Sequence, residues 1–208
     1  MTNECKIKEM DLGDLYVPSE KAGIRTVVTP RVIALFSDYF FPMVNLGGWL
    51  GLPGGKVKKA EAWSGDNLLS TGAFATLTRE LMEECGIDIL PYWENSSCLG
   101  LAEVTEVDWS KRVITERLAP IFICKIPKLW SMNEDHKGVV MMNIHSHFLG
   151  PLYPDARMGI EYLKNRLAEG ARGTIKPEFL NPQGKCFFQT HPQKGYLFGR
   201  SFKAIGCF

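Results

Sequence analysis

The feature that most constrains this 208-residue chain is a short acidic segment, TRELMEECGID, at residues 78–88. Glu80, Glu83 and Glu84 lie three and four residues apart, so a helix would place their carboxylates on one face. Like charges at this spacing destabilise a helix by roughly 0.2–0.5 kcal/mol per pair. The segment must therefore either form a solvated acidic surface or bind something that neutralises its charge.

Apolar periodicity supports a helix at this position. The pattern predicts a helix from about residue 70 to Cys85, where Gly86 can end it. Its apolar residues recur at intervals of three and four and form one buried stripe: Phe74, Leu77, Leu81 and Cys85. The three glutamates would then face solvent or the glycine-rich segment NLGGWLGLPGGKVKKAE at 45–61, which is predicted to be a loop.

The remaining apolar runs predict a mixture of strands and one further helix. RVIALF (31–36) and YFFPMV (39–44) are predicted to pair as a hairpin, and further strands are expected at 98–104, 112–116 and 118–127. A second helix is expected at about 155–168, with the apolar stripe Ala156, Ile160, Leu163 and Leu167. The runs KCFFQTH and GYLFGRSF predict a hairpin near the C-terminus.

Composition narrows the class of protein. Lysine and arginine total 24 against 23 acidic residues, so no overall positive field exists to hold nucleic acid or an anionic membrane. No signal-peptide core is present, and no run approaches the roughly 18 apolar residues of a membrane-spanning helix. We therefore expect a cytoplasmic protein folded as one domain over 1–208.

Cysteine and histidine placement gives little support for a disulfide framework or a zinc site. The six cysteines are scattered without a CxxC pair, and Cys85 and Cys124 lie in apolar patterns typical of reduced, buried thiols. His145 and His147 lie close together in sequence, but no cysteine cluster completes a zinc ligand set. Carboxylate oxygens instead favour Mg²⁺ or Mn²⁺ at the acidic helix.

The glycine loop and the acidic helix together form a recognisable pattern. Gly55 is followed after five residues by Glu61, and Arg79-Glu80-Leu81, Glu83-Glu84, Gly86 and Ile87 follow in order. This combination resembles the Nudix box of the Nudix (MutT-like) hydrolases. One spacing departs from the family: seventeen residues separate Glu61 from Arg79 where the family has seven. An insertion of about ten residues within AWSGDNLLST (62–71) is implied, and it leaves the role of Glu61 open.

The resemblance implies a fold and a domain organisation. The expected fold is α/β (α+β), a Nudix-type α/β/α sandwich with a mixed β-sheet between helices. The resemblance covers about 26–168, and residues 171–208 would add a C-terminal hairpin extension to this single domain.

The resemblance also implies an activity: hydrolysis of the pyrophosphate bond of a nucleoside diphosphate linked to another moiety. The metal ligands would be Glu80, Glu83, Glu84 and the carbonyl of Gly55, holding Mg²⁺, with Mn²⁺ as an alternative. Arg79 would orient Glu83 from four residues away.

Several further assignments remain open at this point. The general base could be Glu80 or an acid of a later loop, Glu134 or Asp135, and Glu103 could be an additional metal ligand. Lys56 is a candidate phosphate contact and Trp63, inside the insertion, a candidate base-stacking residue. Trp49, Trp109 and Phe40 are weaker stacking candidates, for which core packing is the common alternative.

The expected partner is a small nucleoside diphosphate derivative, such as a nucleoside triphosphate, a nucleotide sugar or a dinucleotide. A membrane is not expected, nucleic acid only as a capped RNA end, and a homodimer is left open. The rival interpretations are a Nudix-fold module that binds a nucleotide without cleaving it and a prenyl diphosphate isomerase of the same fold. The complete set of box carboxylates argues against the first, and the lack of a convincing cysteine and glutamate pair argues against the second.

Overall fold

The computed structural model describes residues 24–58, 61, 68–108, 113–127, 138–146, 150–170, 187–191 and 195–204. Within these ranges the chain forms a mixed β-sheet with one long helix on each face, which confirms the predicted fold class. The strands are β1 (Ile24–Val28), β2 (Arg31–Phe36), β3 (Phe40–Leu46), β4 (Trp49–Gly51), β5 (Ser96–Asp108), β6 (Val113–Ile126), β7 (Val139–Asn143), β8 (Phe187–His191) and β9 (Gly195–Ala204). The helices are α1 (Leu68–Cys85) and α2 (Pro154–Gly170), with a 3-10 helix at Leu90–Asn95.

The centre of the sheet is the long strand β6. Both β1 and β2 pair with β6 in parallel, one after the other along its length, and β5 pairs with its other edge in the antiparallel direction. The described strands run in the order β4-β3-β2-β6-β5-β9-β8, and β7 pairs with β3. This arrangement places the end of β4 and the following glycine loop beside the start of β2.

Alternation along the strands creates two hydrophobic cores. In β2, Ile33 and Leu35 pack on the α2 side, whereas Val32, Ala34 and Phe36 pack on the α1 side. Helix α1 covers its side with four buried residues: Ala73, Leu77, Leu81 and Cys85. The burial of this stripe leaves the glutamates of α1 on the helix face turned away from the core.

Helix α1 ends where the sequence indicates. Gly86 has a φ of 65°, in the left-handed region that glycine adopts without steric cost, and its N–H donates to the carbonyl of Met82 at 3.1 Å. The helix begins at Leu68, slightly before the expected start near residue 70. The expected stripe is confirmed at Leu77, Leu81 and Cys85, and Phe74 is only half-buried.

Several sequence-based boundaries were wrong. The two strands expected at 112–116 and 118–127 are one continuous strand, because Arg117 stays in the ladder opposite Val104 of β5. β3 begins at Phe40, since Ser37 and Asp38 have positive φ and form the turn before it. Leu167 was expected in the buried stripe of α2, but it is 40% exposed.

Other elements were not anticipated. β1, β7 and the 3-10 helix lacked a clear sequence signal, and β4 forms inside the segment interpreted as a loop. The C-terminal hairpin is confirmed at 187–191 and 195–204, and β9 pairs with β5. Cys85 and Cys124 are buried free thiols, as expected, and Cys98 is also a free thiol. In the described part of the chain, none of the helices has the length and hydropathy needed to cross a membrane.

Candidate metal and phosphate site

The glycine loop packs directly against the acidic face of α1. The N–H of Gly54 donates to Oε2 of Glu84 at 3.1 Å, so the backbone of the loop binds a carboxylate of the helix. Gly54 has a φ of 139°, and a Cβ added there would lie 2.2 Å from the carbonyl oxygen of Pro30. A Cβ added at Gly55 would lie 2.1 Å from Oε1 of Glu80. Gly54 therefore requires glycine, because an added Cβ would meet backbone, whereas a Cβ at Gly55 would have to displace the flexible Glu80 side chain.

Arg79 connects the carboxylates at the N-terminal end of this surface. Its Nε donates to Oε1 of Glu61 at 2.7 Å, and its Nη1 donates to Oε1 of Glu80 at 2.6 Å and to Oε2 of Glu83 at 3.2 Å. The expected contact with Glu83 is therefore present, alongside two shorter contacts. Hydrogen bonding to Glu61, first of all, raises the pKa of Arg79 above its usual range, so the guanidinium stays charged.

Glu61 joins this cluster despite the long segment between it and the helix. Besides Arg79, Glu61 accepts hydrogen bonds from the N–H of Lys58 at 2.7 Å and from Oγ1 of Thr76 at 2.8 Å. Burial alone would raise the pKa of Glu61, but these hydrogen bonds outweigh it and lower the pKa below its usual value. The long segment between Glu61 and Arg79 therefore does not keep this carboxylate away from the guanidinium.

The pKa of Glu84 is shifted in the opposite direction to that of Glu61. Burial raises its pKa to about 6, and repulsion from Glu80 and Glu83 adds to that effect, whereas the Gly54 hydrogen bond and the charge of Arg31 oppose it. A half-buried carboxylate next to two others is a group that a cation would stabilise. The clustering of like charge on α1 is thus a property of the folded protein as well as of its sequence.

The donor set fits a cation that prefers oxygen ligands, although the carboxylates are not arranged around one point. Within the ranges that the structure describes, no group of three acidic, histidine or cysteine side chains is placed to hold a metal ion together. Glu83 has a side chain that is 58% exposed, and the carboxylate of Glu80 turns towards Arg79. Coordination by all three residues would require rotation of these two flexible side chains.

Some of the remaining sequence-predicted residues lie in the described part of the chain. Lys56 is exposed and follows Gly55 in the loop. Glu103 lies on β5, where its Oε1 is 3.6 Å from Nζ of Lys203. Trp49 is a core residue that packs edge-on against Tyr153. The other candidates, Trp63, Trp109, Glu134 and Asp135, lie outside the described residues.

Sequence reasoning missed one residue beside the site. Arg31 is buried at the start of β2 and donates hydrogen bonds to Asp155 and to the glycine loop. Asp155 lies in the first turn of α2, where its Oδ1 also accepts the N–H of Ala156. The available signal was the arginine itself, which opens the otherwise apolar run RVIALF.

No family model and no curated protein matches the chain. Among solved structures, similar ones include the MutT NUDIX hydrolase from Burkholderia pseudomallei, with 18% identity, a TM-score of 0.46 and coverage of 67% of this chain and 98% of that chain. The E. coli dihydroneopterin triphosphate pyrophosphohydrolase has 16% identity, a TM-score of 0.47 and coverage of 64% and 92%. The NUDIX domain of Shewanella oneidensis NrtR, complexed with ADP ribose, has 18% identity, a TM-score of 0.47 and coverage of 76% and 99%.

Proposed function

We propose that this chain is a Nudix hydrolase that cleaves the pyrophosphate bond of a nucleoside diphosphate linked to another moiety. One observation carries the proposal: the acidic face of α1 forms one polar cluster with Gly54, Gly55 and Glu61, which precede it by a long segment of the chain. A solvated acidic surface would not need Gly54 and Gly55 packed next to its carboxylates. It would also not need the ion pair between Arg79 and Glu61, which is eighteen positions earlier. The cluster therefore favours a site built to hold charge.

The proposed metal ligands are Glu80, Glu83, Glu84 and the carbonyl of Gly55, with Mg²⁺ as the cofactor and Mn²⁺ as the alternative. When bound, such a cation neutralises phosphate oxygens and lowers the pKa of a coordinated water. Because burial raises the pKa of Glu84, its negative charge is poorly screened by solvent and would interact strongly with a cation. Glu83, which is largely exposed, would rotate to complete the site.

The chain's own groups would position the other participants. Arg79, fixed by Glu61, restrains the carboxylates of Glu80 and Glu83 through its hydrogen bonds. Glu80 is the candidate general base within the described residues, and Glu134 remains the candidate from a later loop. Arg79 keeps its positive charge at every pH of interest, so it restrains the carboxylates equally well across the working range.

The substrate would be a small nucleotide derivative, a nucleoside triphosphate, nucleotide sugar or dinucleotide. Lys56 is exposed next to Gly55, where an ammonium group could contact a phosphate, and Trp63 would stack on the base. A cytoplasmic location, recognition of a capped RNA end and a homodimer remain predictions from the sequence.

The test is a panel of nucleoside triphosphates, nucleotide sugars, dinucleotides and capped RNA assayed with Mg²⁺, with Mn²⁺ and with a chelator. We expect cleavage only with metal, and we expect Glu84→Gln to lower kcat by at least about 100-fold, since removing a charged ligand sacrifices several kcal/mol of charge stabilisation. Glu94→Gln is the matched control, because Glu94 is an exposed acid of the 3-10 helix.

Two results would contradict the proposal. Metal-dependent cleavage that is equally fast in Glu84→Gln would remove the assigned site. Saturable nucleotide binding by the natural chain without cleavage of any compound would instead favour the non-catalytic binding module.

A further inference from the structure

A buried ion pair lies directly behind the glycine loop. Arg31 at the start of β2 is 6% exposed, and its Nε donates to Oδ2 of Asp155 at 3.0 Å. Asp155, in the first turn of α2, is 3% exposed. Removing two charges from water is costly, and such a pair is rarely justified by stability alone. Its remaining hydrogen bonds therefore indicate its role.

Those hydrogen bonds reach the backbone of the glycine loop. Nη1 of Arg31 donates to the carbonyl of Leu52 at 3.4 Å and makes a short hydrogen bond to the carbonyl of Gly54. The N–H of Val32 donates to the carbonyl of Pro53 at 3.1 Å, so the loop is bonded along the start of β2. One side-chain nitrogen of Arg31 therefore contacts two carbonyls of the loop.

The same peptide segment contacts the acidic helix. While the carbonyl of Gly54 accepts from Arg31, the N–H of Gly54 donates to Oε2 of Glu84. A continuous series of polar contacts thus runs from the N-terminus of α2, through Asp155 and Arg31, to Gly54 and then to Glu84. The two helices lie on opposite faces of the sheet, and this series connects them past the start of β2.

We propose that Arg31, held by Asp155, is a positioning residue that fixes the glycine loop and thereby the orientation of the Glu84 carboxylate. The consequence for catalysis rests on the proposed function, whereas the consequence for the loop does not. A planar guanidinium suits this task because it presents Nε and Nη1 in a fixed geometry, one towards the carboxylate and one towards the carbonyl. A lysine ammonium would carry the same charge but could not reproduce the two directions.

The test variant is Arg31→Lys, examined in the full-length chain. Hydrogen exchange of the Gly54 amide, measured without metal, should become about tenfold faster or more, because the Gly54 carbonyl loses the Arg31 contact that holds this residue near Glu84. The dissociation constant for Mn²⁺ should rise about tenfold to 100-fold, as is typical when a partner of a metal ligand is removed. In turnover assays kcat should fall while KM stays within about twofold.

Arg117→Lys is the matched control. Arg117 makes a partly buried ion pair on the same sheet, to Glu106 of the neighbouring strand, and both side chains are 12% exposed. We expect this variant to lose thermal stability to a similar extent while Gly54 exchange and Mn²⁺ affinity stay at their natural values. Asp155→Asn is a second test variant, in case Arg31→Lys fails to fold, and should shift both readouts in the same direction as Arg31→Lys.

The proposal is overturned if Arg31→Lys leaves Gly54 exchange unchanged, or if Arg117→Lys accelerates it equally. If the natural protein binds no Mn²⁺, the proposed metal site fails, and Gly54 exchange in the two variants still decides whether Arg31 fixes the loop. Normal exchange together with weakened Mn²⁺ binding would show that Arg31 affects the site without fixing the loop and would also overturn the positioning role.

Discussion

At the residue scale, Glu84 is a carboxylate whose ionised form is disfavoured by its surroundings in the folded protein. Its burial, together with the charges of Glu80 and Glu83, raises its pKa from 4.5 to about 6. One pKa unit corresponds to about 1.4 kcal/mol, so the ionised group destabilises the metal-free fold by about 2 kcal/mol relative to an exposed glutamate. A bound cation would offset this destabilisation, which is the best explanation for a carboxylate at this position.

The pH dependence of that cost can be measured. Because the folded pKa is raised, the penalty is absent below the ordinary value of 4.5 and fully present above about 6. Glu84→Gln keeps an acceptor for the Gly54 N–H, so in chelator it should stabilise the protein by about 1–2 kcal/mol at pH 8 and by little at pH 4.5. Urea unfolding at both pH values measures this. Equal effects at both pH values, or destabilisation at pH 8, would contradict it.

Gly54 and Gly55 make a second test, because they are adjacent but constrained differently. Gly54 has a positive φ, and a Cβ added there would meet the backbone of Pro30. Gly54→Ala should therefore destabilise the fold by at least about 2 kcal/mol. A Cβ at Gly55 meets only the end of the flexible Glu80 side chain. Gly55→Ala should therefore cost less than about 1 kcal/mol.

The two glycine variants should also separate stability from activity. By displacing the carboxylate of Glu80, Gly55→Ala should lower kcat by at least about tenfold while the protein remains folded, since small misplacements of reacting groups are costly. Thermal unfolding and turnover of both variants provide the comparison. A Gly55→Ala protein with full activity would show that Glu80 has no role that depends on this contact.

Among the elements, the sequence allowed prediction of those whose pattern is local. The stripe of α1, its end at Gly86 and the apolar run of β2 follow from spacing alone. β6 was divided in two because Arg117 interrupts its apolar pattern, yet strands on both edges and an ion pair to Glu106 hold it in one ladder. β1 and β7 are stabilised by strands distant in sequence, which a local pattern does not contain.

In the candidate site, too, the sequence predicts contacts between near neighbours in the chain and misses those between distant segments. The contact of Arg79 with Glu83 follows from four-residue helical spacing, and it was predicted. The contact of Arg79 with Glu61 depends on the path of the intervening segment. The contact of Arg31 with Asp155 depends on where α2 packs against the sheet. Neither contact could be derived from sequence spacing. The resemblance to the Nudix box indicated Glu61 as a candidate but could not place it.

The link between Glu61 and α1 gives a third prediction. The pKa of Glu61 is lowered in the folded protein, so its pairing contributes stability above the ordinary pKa of 4.5 and loses it as the pH falls through the folded value. Glu61→Gln should destabilise the protein by about 1–2 kcal/mol at pH 7, since a charge-assisted hydrogen bond is weakened. The difference should shrink in acid.

The control for that variant is Glu161→Gln, which alters the surface pair with Arg157 on α2. Solvent screens this pair, so we expect a change below about 0.5 kcal/mol at either pH. Denaturant unfolding of both variants at pH 7 and in acid makes the comparison. A Glu61→Gln effect as small as that of Glu161→Gln would mean that the long segment is not held to the helix by this carboxylate.

Over the whole molecule, the C-terminal hairpin is continuous with the sheet and contributes to its core. β9 pairs with β5, and Phe202 is buried against Tyr162 of α2, with a ring-centroid distance of 5.0 Å. Gly100 lies beneath this ring, where a Cβ would come within 2.5 Å of it. The segment predicted as an extension therefore takes part in the same hydrophobic core as α2.

Phe202→Ala tests this integration. Removing a buried aromatic ring should lower the free energy of unfolding by about 3–5 kcal/mol. Leu167→Ala is the control on α2, where the side chain is partly exposed, and should cost less than about 1.5 kcal/mol. Both are measured by denaturant unfolding. A mild effect of Phe202→Ala would show that the hairpin is dispensable for the core.

The central claim is that the acidic face of α1 holds a divalent cation, and a crystal grown with saturating Mn²⁺ tests it most directly through anomalous scattering. We predict a peak about 2.1 Å from an oxygen of Glu84 and coordinated by at least one further carboxylate of α1, with Glu83 rotated towards it. Absence of any peak at this face, with Glu84 still bonded only to the backbone of Gly54, would contradict the account.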